Sequence, residues 1–197
     1  VECKIAPRLL INPEFVRDHA ETPEKLMILV MHELHHVLLG HTRLFPTATP
    51  VDNLVFDAVI NALLCKMFTD ESYTSFFTEY YDDRDFPHCL LRPPRGWKPG
   101  RVFEKPPALR DKPDEVFSVY RLLYSEAGAS YDDLYDILRK LIPSSKCKNV
   151  QLLGDHSGDS TEGFLENRSP VLHEAVRAIV EKWPQPPNPI RGRSLGS

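Results

Sequence analysis

The segment VMHELHHVLLGH, residues 30–41, places four histidines and one glutamate in a run of otherwise apolar residues. A Thr-Pro start signal at Thr22 and the 3.6-residue period predict a helix that continues to about Leu39. The apolar residues occur nearly all round this helix, which indicates that it is buried. Imidazole and carboxylate groups are costly to bury without a partner, so the segment predicts a bound metal ion.

The histidine spacing within this segment is that of an HExxH zinc motif. His32 and His36 are four residues apart, so on a helix they lie about 40° from each other, one turn along the same face. Glu33 lies beside the first ligand, where its carboxylate can reach a metal-bound water. Zinc lowers the pKa of such a water to around 7, and the carboxylate can then take its proton. The motif therefore predicts Zn²⁺ held by His32 and His36, with Glu33 as the catalytic general base.

A third protein ligand is needed, with a further position left open for water. The next predicted helix, which contains DNLVFDAVINALL at residues 52–64, carries Asp57 among apolar residues. A metal ion would satisfy this carboxylate and the histidines of the preceding helix together. We therefore favour Asp57 as the third ligand, with Asn61 one turn further on to orient a histidine or the carboxylate.

Two other histidines are alternative ligands. His41 lies about 140° round the helix from His36 and could bind only if Gly40 turns the chain back. His35 is three residues from His32 and could compete with His36 for the metal.

The rest of the chain predicts a mainly α fold with a small β component, an α+β class, in one domain of residues 1–197. Residues 87–113 contain seven prolines, which predict a long loop without regular secondary structure. A second Pro-rich segment, residues 184–197, forms a tail. Short strands are predicted at residues 3–11 and 148–153, and further helices from Pro13 and at about residues 71–80, 113–128, 130–142 and 169–183.

Composition favours an ordinary soluble protein. Apolar residues make up 42% of the chain, and 24 basic against 28 acidic side chains give a net charge of -4. The longest apolar run is too short to cross a membrane, and no leader is recognisable. The four cysteines are scattered without a CxxC pair, which argues against a cysteine zinc site and favours a reducing, cytoplasmic location.

Two further features are candidates for function. His156 lies in a turn-rich loop and could stabilise an oxyanion, as could the tyrosines at positions 80, 81, 131 and 135. Residues 92–112 hold seven basic side chains and two aromatic ones, a combination that can bind nucleic acid. Because the chain as a whole is anionic, we interpret this segment as a lid or docking loop and do not expect a nucleic-acid partner.

Three stretches together resemble a known family: INPEFV at residues 11–16, LVMHELHHVLLGH at 29–41 and DNLVFDAVINALL at 52–64. They are similar to a bacterial metallopeptidase family often found beside a von Willebrand factor A-like domain. The HExxHxxxGH spacing also resembles the gluzincins, in which a carboxylate on a following helix is the third ligand. The resemblance implies a zincin-like fold, the roles given above, a protein or peptide substrate, and a von Willebrand A-like or AAA ATPase partner. Asp57 departs from this pattern, because gluzincins carry a glutamate there.

The leading hypothesis is therefore a zinc-dependent metalloendopeptidase. One alternative is a catalytically inactive metal-binding scaffold, whose site would be closed by four protein ligands. Another is a nucleic-acid-associated protease that uses the basic loop.

Overall fold

The computed structural model describes residues 12–39, 41, 48–125, 131–141 and 152–153. These residues are mainly helical, which confirms the mainly α prediction, and no strand occurs among them. The predicted strand at residues 3–11, most of that at 148–153, the helix at 169–183 and the tail at 184–197 lie outside the described residues. The helices are α1 (Pro13–His19), α2 (Pro23–Leu38), α3 (Pro50–Met67), α4 (Glu71–Tyr80), α5 (Asp114–Tyr124) and α6 (Tyr131–Leu141), with 3₁₀ helices at His88–Leu91 and Pro107–Leu109.

Helix α2 begins where the Thr-Pro signal predicts. The hydroxyl oxygen of Thr22 accepts a hydrogen bond from the backbone N–H of Lys25 at 3.2 Å, and Pro23 occupies the first turn. The helix ends at Leu38, one residue before the predicted end. Its buried face carries Ile28 and Met31 together with three of the four histidines of the motif, so the polar residues enter the core with the apolar ones.

Helix α3 is the centre of the described fold. It begins with a capping box: the Thr49 hydroxyl accepts from the backbone N–H of Asp52 at 3.3 Å, and the Asp52 carboxylate accepts from the backbone N–H of Thr49 at 2.7 Å. Apolar residues follow on nearly every side, and the helix packs against α2, α4, α5, α6 and the first 3₁₀ helix. A helix surrounded in this way fixes the position of any polar side chain that it carries.

The Pro-rich loop contains more regular structure than the sequence predicts. Our expectation that residues 87–113 lack regular elements was wrong, because two short 3₁₀ helices lie within them. Leu90 and Leu91 are fully buried, and Arg92 is only 7% exposed. The Arg92 guanidinium donates from Nη1 to the backbone carbonyls of Thr78 at 2.9 Å and Tyr81 at 2.7 Å. The first part of the loop is therefore core structure that braces the end of α4.

Among the described residues, no helix combines the length and the apolar character required to cross a lipid bilayer.

Loss of the capping box should weaken the whole fold, because α3 contacts most of the other helices. Replacement of a capping threonine by alanine typically lowers stability by about 1 kcal/mol. We therefore expect Thr49→Ala to lower the free energy of unfolding by about that amount, measured by urea denaturation.

The matched control is Thr74→Ala. The Thr74 hydroxyl donates back to the carbonyl of Asp70 at 3.4 Å within α4 and caps no helix. Because alanine is the better helix former, this change should leave stability equal or slightly higher. Equal losses in the two variants would contradict the role given to the cap.

Candidate metal centre

Three side chains from α2 and α3 converge in the core. The Nε2 atoms of His32 and His36 lie 3.1 Å apart, and the Oδ1 atom of Asp57 lies 3.6 Å from the first and 3.3 Å from the second. His32 and Asp57 are fully buried, and His36 is 5% exposed. These three atoms form the one group of potential metal ligands found among the described residues. The structure thus brings together the three ligands that the sequence predicts.

The triangle that these atoms form has the dimensions of a zinc site. With zinc–ligand bonds of about 2.0 to 2.1 Å, the edges of a regular tetrahedron are about 3.3 to 3.4 Å long. The observed separations of 3.1, 3.3 and 3.6 Å bracket that value. A mixed set of two imidazole nitrogens and one carboxylate oxygen also suits zinc. The residues therefore fit a tetrahedral zinc ion with three protein ligands.

Asn61 sets the orientation and the tautomer of His32. The Asn61 amide donates from Nδ2 to the backbone carbonyl of Leu91 at 2.9 Å, so its oxygen faces the histidine. That oxygen lies 2.8 Å from His32 Nδ1, which must therefore be the protonated nitrogen. In the neutral ring this leaves a lone pair on Nε2, directed at the proposed ion.

His41 contacts the opposite side of His36. Its Nδ1 atom lies 3.2 Å from Nδ1 of His36, and its ring stacks on Phe56 with the ring centres 3.8 Å apart. If Nε2 of neutral His36 binds the proposed ion, Nδ1 of His36 carries the proton and donates to Nδ1 of His41. His41 lies outside the candidate ligand group, in a position to orient His36.

Asp57 also contacts the segment that follows α6. Its Oδ2 atom accepts from the backbone N–H of Leu153 at 3.3 Å, while Oδ1 faces the two histidines. The two oxygens therefore have different surroundings, one toward the ligands and one toward backbone.

The other two residues of the motif occupy different positions. Glu33, next to His32, is half-buried. It lies three residues before His36, which makes the two neighbours on one helix surface. His35 is buried and donates from Nδ1 to the carbonyl of Met31 at 2.7 Å. Burial lowers the pKa of His35, so the ring is neutral at pH 7. Like His41, it lies outside the candidate ligand group.

Some of the contacts could not be assigned from the sequence. Tyr81 was one of four tyrosines named from the sequence, and the structure shows it as a buried residue directly after α4. Burial raises its pKa well above the usual value, and the Asp57 carboxylate adds to the increase. The Leu91 carbonyl has no signature in the sequence at all. His156 lies outside the described residues.

The cysteines of the described core are no alternative site. Cys65 and Cys89 are buried free thiols. Burial raises the pKa of Cys89 to about 12 and that of Cys65 further. Neither belongs to the candidate ligand group found among the described residues.

Comparison with protein-family models, with curated proteins and with solved structures finds no match to this chain.

The candidate metal centre predicts both the number of zinc ions bound and the effect of losing one ligand. The purified chain should bind about one zinc ion, and Asp57→Ala should weaken the affinity by more than the about 10- to 100-fold typical of a residue that only supports a ligand. Competition with a chromophoric chelator measures both the stoichiometry and the affinity.

Asp85→Ala is the matched control, because Asp85 also pairs with a histidine. Its Oδ2 atom lies 2.7 Å from Nδ1 of His88, in the turn before the first 3₁₀ helix. Loss of that pair should leave zinc affinity unchanged. Equal affinities in the Asp57 and Asp85 variants would exclude Asp57 as a ligand.

Proposed function

We propose that this chain is a zinc-dependent metallopeptidase of zincin type, with His32, His36 and Asp57 as the metal ligands. The observation that carries the proposal is the triangle of ligand atoms, with edges of 3.1 to 3.6 Å, formed by two neighbouring helices. Its two histidines stand in an HExxH motif, which adds a glutamate next to the first ligand. The resemblance to the gluzincins points to the same ligand order.

Zinc bound at this site would supply Lewis-acid chemistry, lowering the pKa of a water molecule to around 7 and polarising the scissile carbonyl. His32 and His36 contribute neutral nitrogen donors, and Asn61 keeps the His32 lone pair directed at the site. Glu33 accepts the proton of the attacking water and transfers it to the leaving amine.

The burial of these residues supports the assignment of Glu33. His32 and Asp57 are fully buried, and His36 is the one ligand with measurable exposure, at 5%. Glu33 neighbours His36 on the helix surface and is itself half-buried. Access from solvent is therefore expected on the side of His36 and Glu33, where a general base is required. The substrate of such an enzyme would be a protein or a peptide. A von Willebrand A-like or AAA ATPase partner is supported by the family resemblance alone.

The inactive scaffold is the second candidate, and the number of ligands separates it from the enzyme. A structural zinc site is closed by four protein ligands. Within the described residues the group has three members, and Nδ1 of His41 faces His36 rather than the triangle. A group of three ligands is the number that a catalytic zinc site uses.

A nucleic-acid-associated protease has weaker support. Of the basic residues in the loop, Arg92 is buried against backbone carbonyls, Arg95 pairs with Asp83, and Lys105 pairs with Asp114. These pairings reduce the positive charge available to a phosphate backbone.

Replacement of the general base tests the proposed function. Glu33→Gln retains the side-chain volume and all three metal ligands but cannot accept a proton. We expect it to keep one zinc ion and to lower the rate of peptide hydrolysis by at least about 100-fold. Cleavage of a fluorescently labelled unfolded protein, such as casein, provides the assay.

Glu24→Gln is the matched control, since Glu24 is another half-buried glutamate on α2, two turns before the motif. It should retain zinc and full activity. The proposed function would be wrong if the parent protein carried no zinc, or if the Glu33 variant hydrolysed the substrate as fast as the parent.

A further inference from the structure

His41 returns to the motif helix instead of continuing along it. On an unbroken helix its side chain would point about 140° away from that of His36. Helix α2 ends at Leu38, however, and the His41 ring lies against that of His36, with the ring centres 5.3 Å apart and the planes at 72° to each other. His41 is buried, with an exposed fraction of 9%. The chain after α2 therefore brings a third imidazole to the candidate metal centre.

The ring of His41 is held in place by α3. It stacks on the ring of Phe56, with the centres 3.8 Å apart and the planes only 18° from parallel. Phe56 is itself buried and directly precedes Asp57 on α3. Two stacked rings in a close-packed core have little freedom to rotate. The helix that carries the carboxylate ligand thus also fixes the position of His41.

The contact between the two histidines involves the nitrogen of His36 that faces away from the other ligands. Nε2 of His36 faces His32 and Asp57, whereas its Nδ1 lies 3.2 Å from Nδ1 of His41. A neutral imidazole has one N–H donor and one lone pair. With the lone pair of Nε2 on a metal ion, the proton stays on Nδ1, where His41 can accept it. Metal binding therefore sets the direction of this hydrogen bond, from His36 to His41.

We propose that His41 is a positioning residue, which accepts a hydrogen bond from His36 and holds the imidazole of this ligand toward the metal. The proposal rests on the metal site of the proposed function. Helix α3 would then support both histidine ligands, through Asn61 for one and through Phe56 for the other.

The place of His36 in the site explains why it needs this support. It is the ligand with measurable exposure, on the side where access from solvent is expected. A histidine that binds a metal is usually oriented by a hydrogen bond that its other ring nitrogen donates to a carboxylate, a carbonyl or water. His41 provides an imidazole nitrogen in that role and lies outside the ligand group itself. It thus acts through His36.

Two substitutions separate the acceptor nitrogen of His41 from its ring. His41→Phe keeps a ring that can stack on Phe56 but removes the acceptor. His41→Asn removes the ring but keeps an acceptor, because its amide oxygen is bonded to Cγ just as Nδ1 is. We expect His41→Phe to bind zinc about 10- to 100-fold more weakly than the parent, measured by chelator competition. His41→Asn should recover most of that affinity.

The cobalt-loaded proteins provide a second measurement. The visible d–d absorption depends on how the ligands are oriented, so it should change in His41→Phe and resemble that of the parent in His41→Asn. Far-UV circular dichroism of the metal-free proteins checks that each variant is folded. His41→Leu, with a smaller side chain, takes the place of His41→Phe if the larger ring does not fit.

His19→Phe is the matched control. The ring of His19, on α1, also packs against aromatic rings, with its centre 4.9 Å from that of Phe15 and 5.0 Å from that of Tyr80. His19 lies outside the candidate ligand group. The change should leave zinc affinity and the cobalt spectrum unaltered, and a loss equal to that of His41→Phe would contradict the positioning role.

The order of the two His41 variants decides between the possible roles. If the stacked ring matters only for structure, His41→Asn should be the weaker binder of zinc. If His41 is itself a ligand, both variants should lose more than about 100-fold in affinity. Either result would make the positioning role wrong.

The parent protein separates this inference from the proposed function. If His41→Phe binds zinc as tightly as a parent whose activity depends on Glu33, the positioning role is wrong and the peptidase stands. A parent protein that binds no metal overturns both.

Discussion

The described fold depends on one constraint, which is that two imidazoles and a carboxylate face each other in the core where α2 packs against α3. These atoms lie 3.1 to 3.6 Å apart, which is unfavourable in a buried site unless a proton or a cation lies between them. The proposed metal ion would satisfy all three at once. Its binding energy would then also stabilise the packing of the two helices, and it would compete with protons for the same atoms.

Segments outside α2 and α3 support this cluster. Arg92 fixes the carbonyl of Tyr81, and the residue just before Arg92 supplies the carbonyl that orients Asn61. Asn61 in turn orients His32. One short stretch of the Pro-rich loop therefore orients Asn61, which contacts His32, and also holds the backbone at the end of α4. This explains why the segment is buried although its proline content is typical of a surface loop.

The sequence predicts which three buried side chains meet, but it does not predict the contacts around them, for a physical reason. The proximity of His32 and His36 follows from helix geometry, and that of Asp57 follows from the cost of a carboxylate in an apolar helix. The helix starts follow from Thr-Pro and Asn-Pro pairs, whose side chains cap the N–H groups next to them. The contact of Asn61 with the Leu91 carbonyl depends on how a distant loop packs, and a backbone carbonyl leaves no trace in the sequence. The 3₁₀ helix before Arg92 was missed because the prolines around it obscured a short apolar run.

The length of the Asp57 side chain constrains how the two helices pack. Aspartate is one methylene shorter than glutamate, so α2 and α3 must approach closely for its carboxylate to reach the histidines. They do so here, since α2 and α3 are in direct contact and Oδ1 reaches both histidines. The shorter side chain has fewer rotamers and loses less conformational entropy when it is fixed. It also has less freedom to correct its position, so an aspartate ligand needs firm support at its second oxygen. The backbone N–H of Leu153 donates to that oxygen.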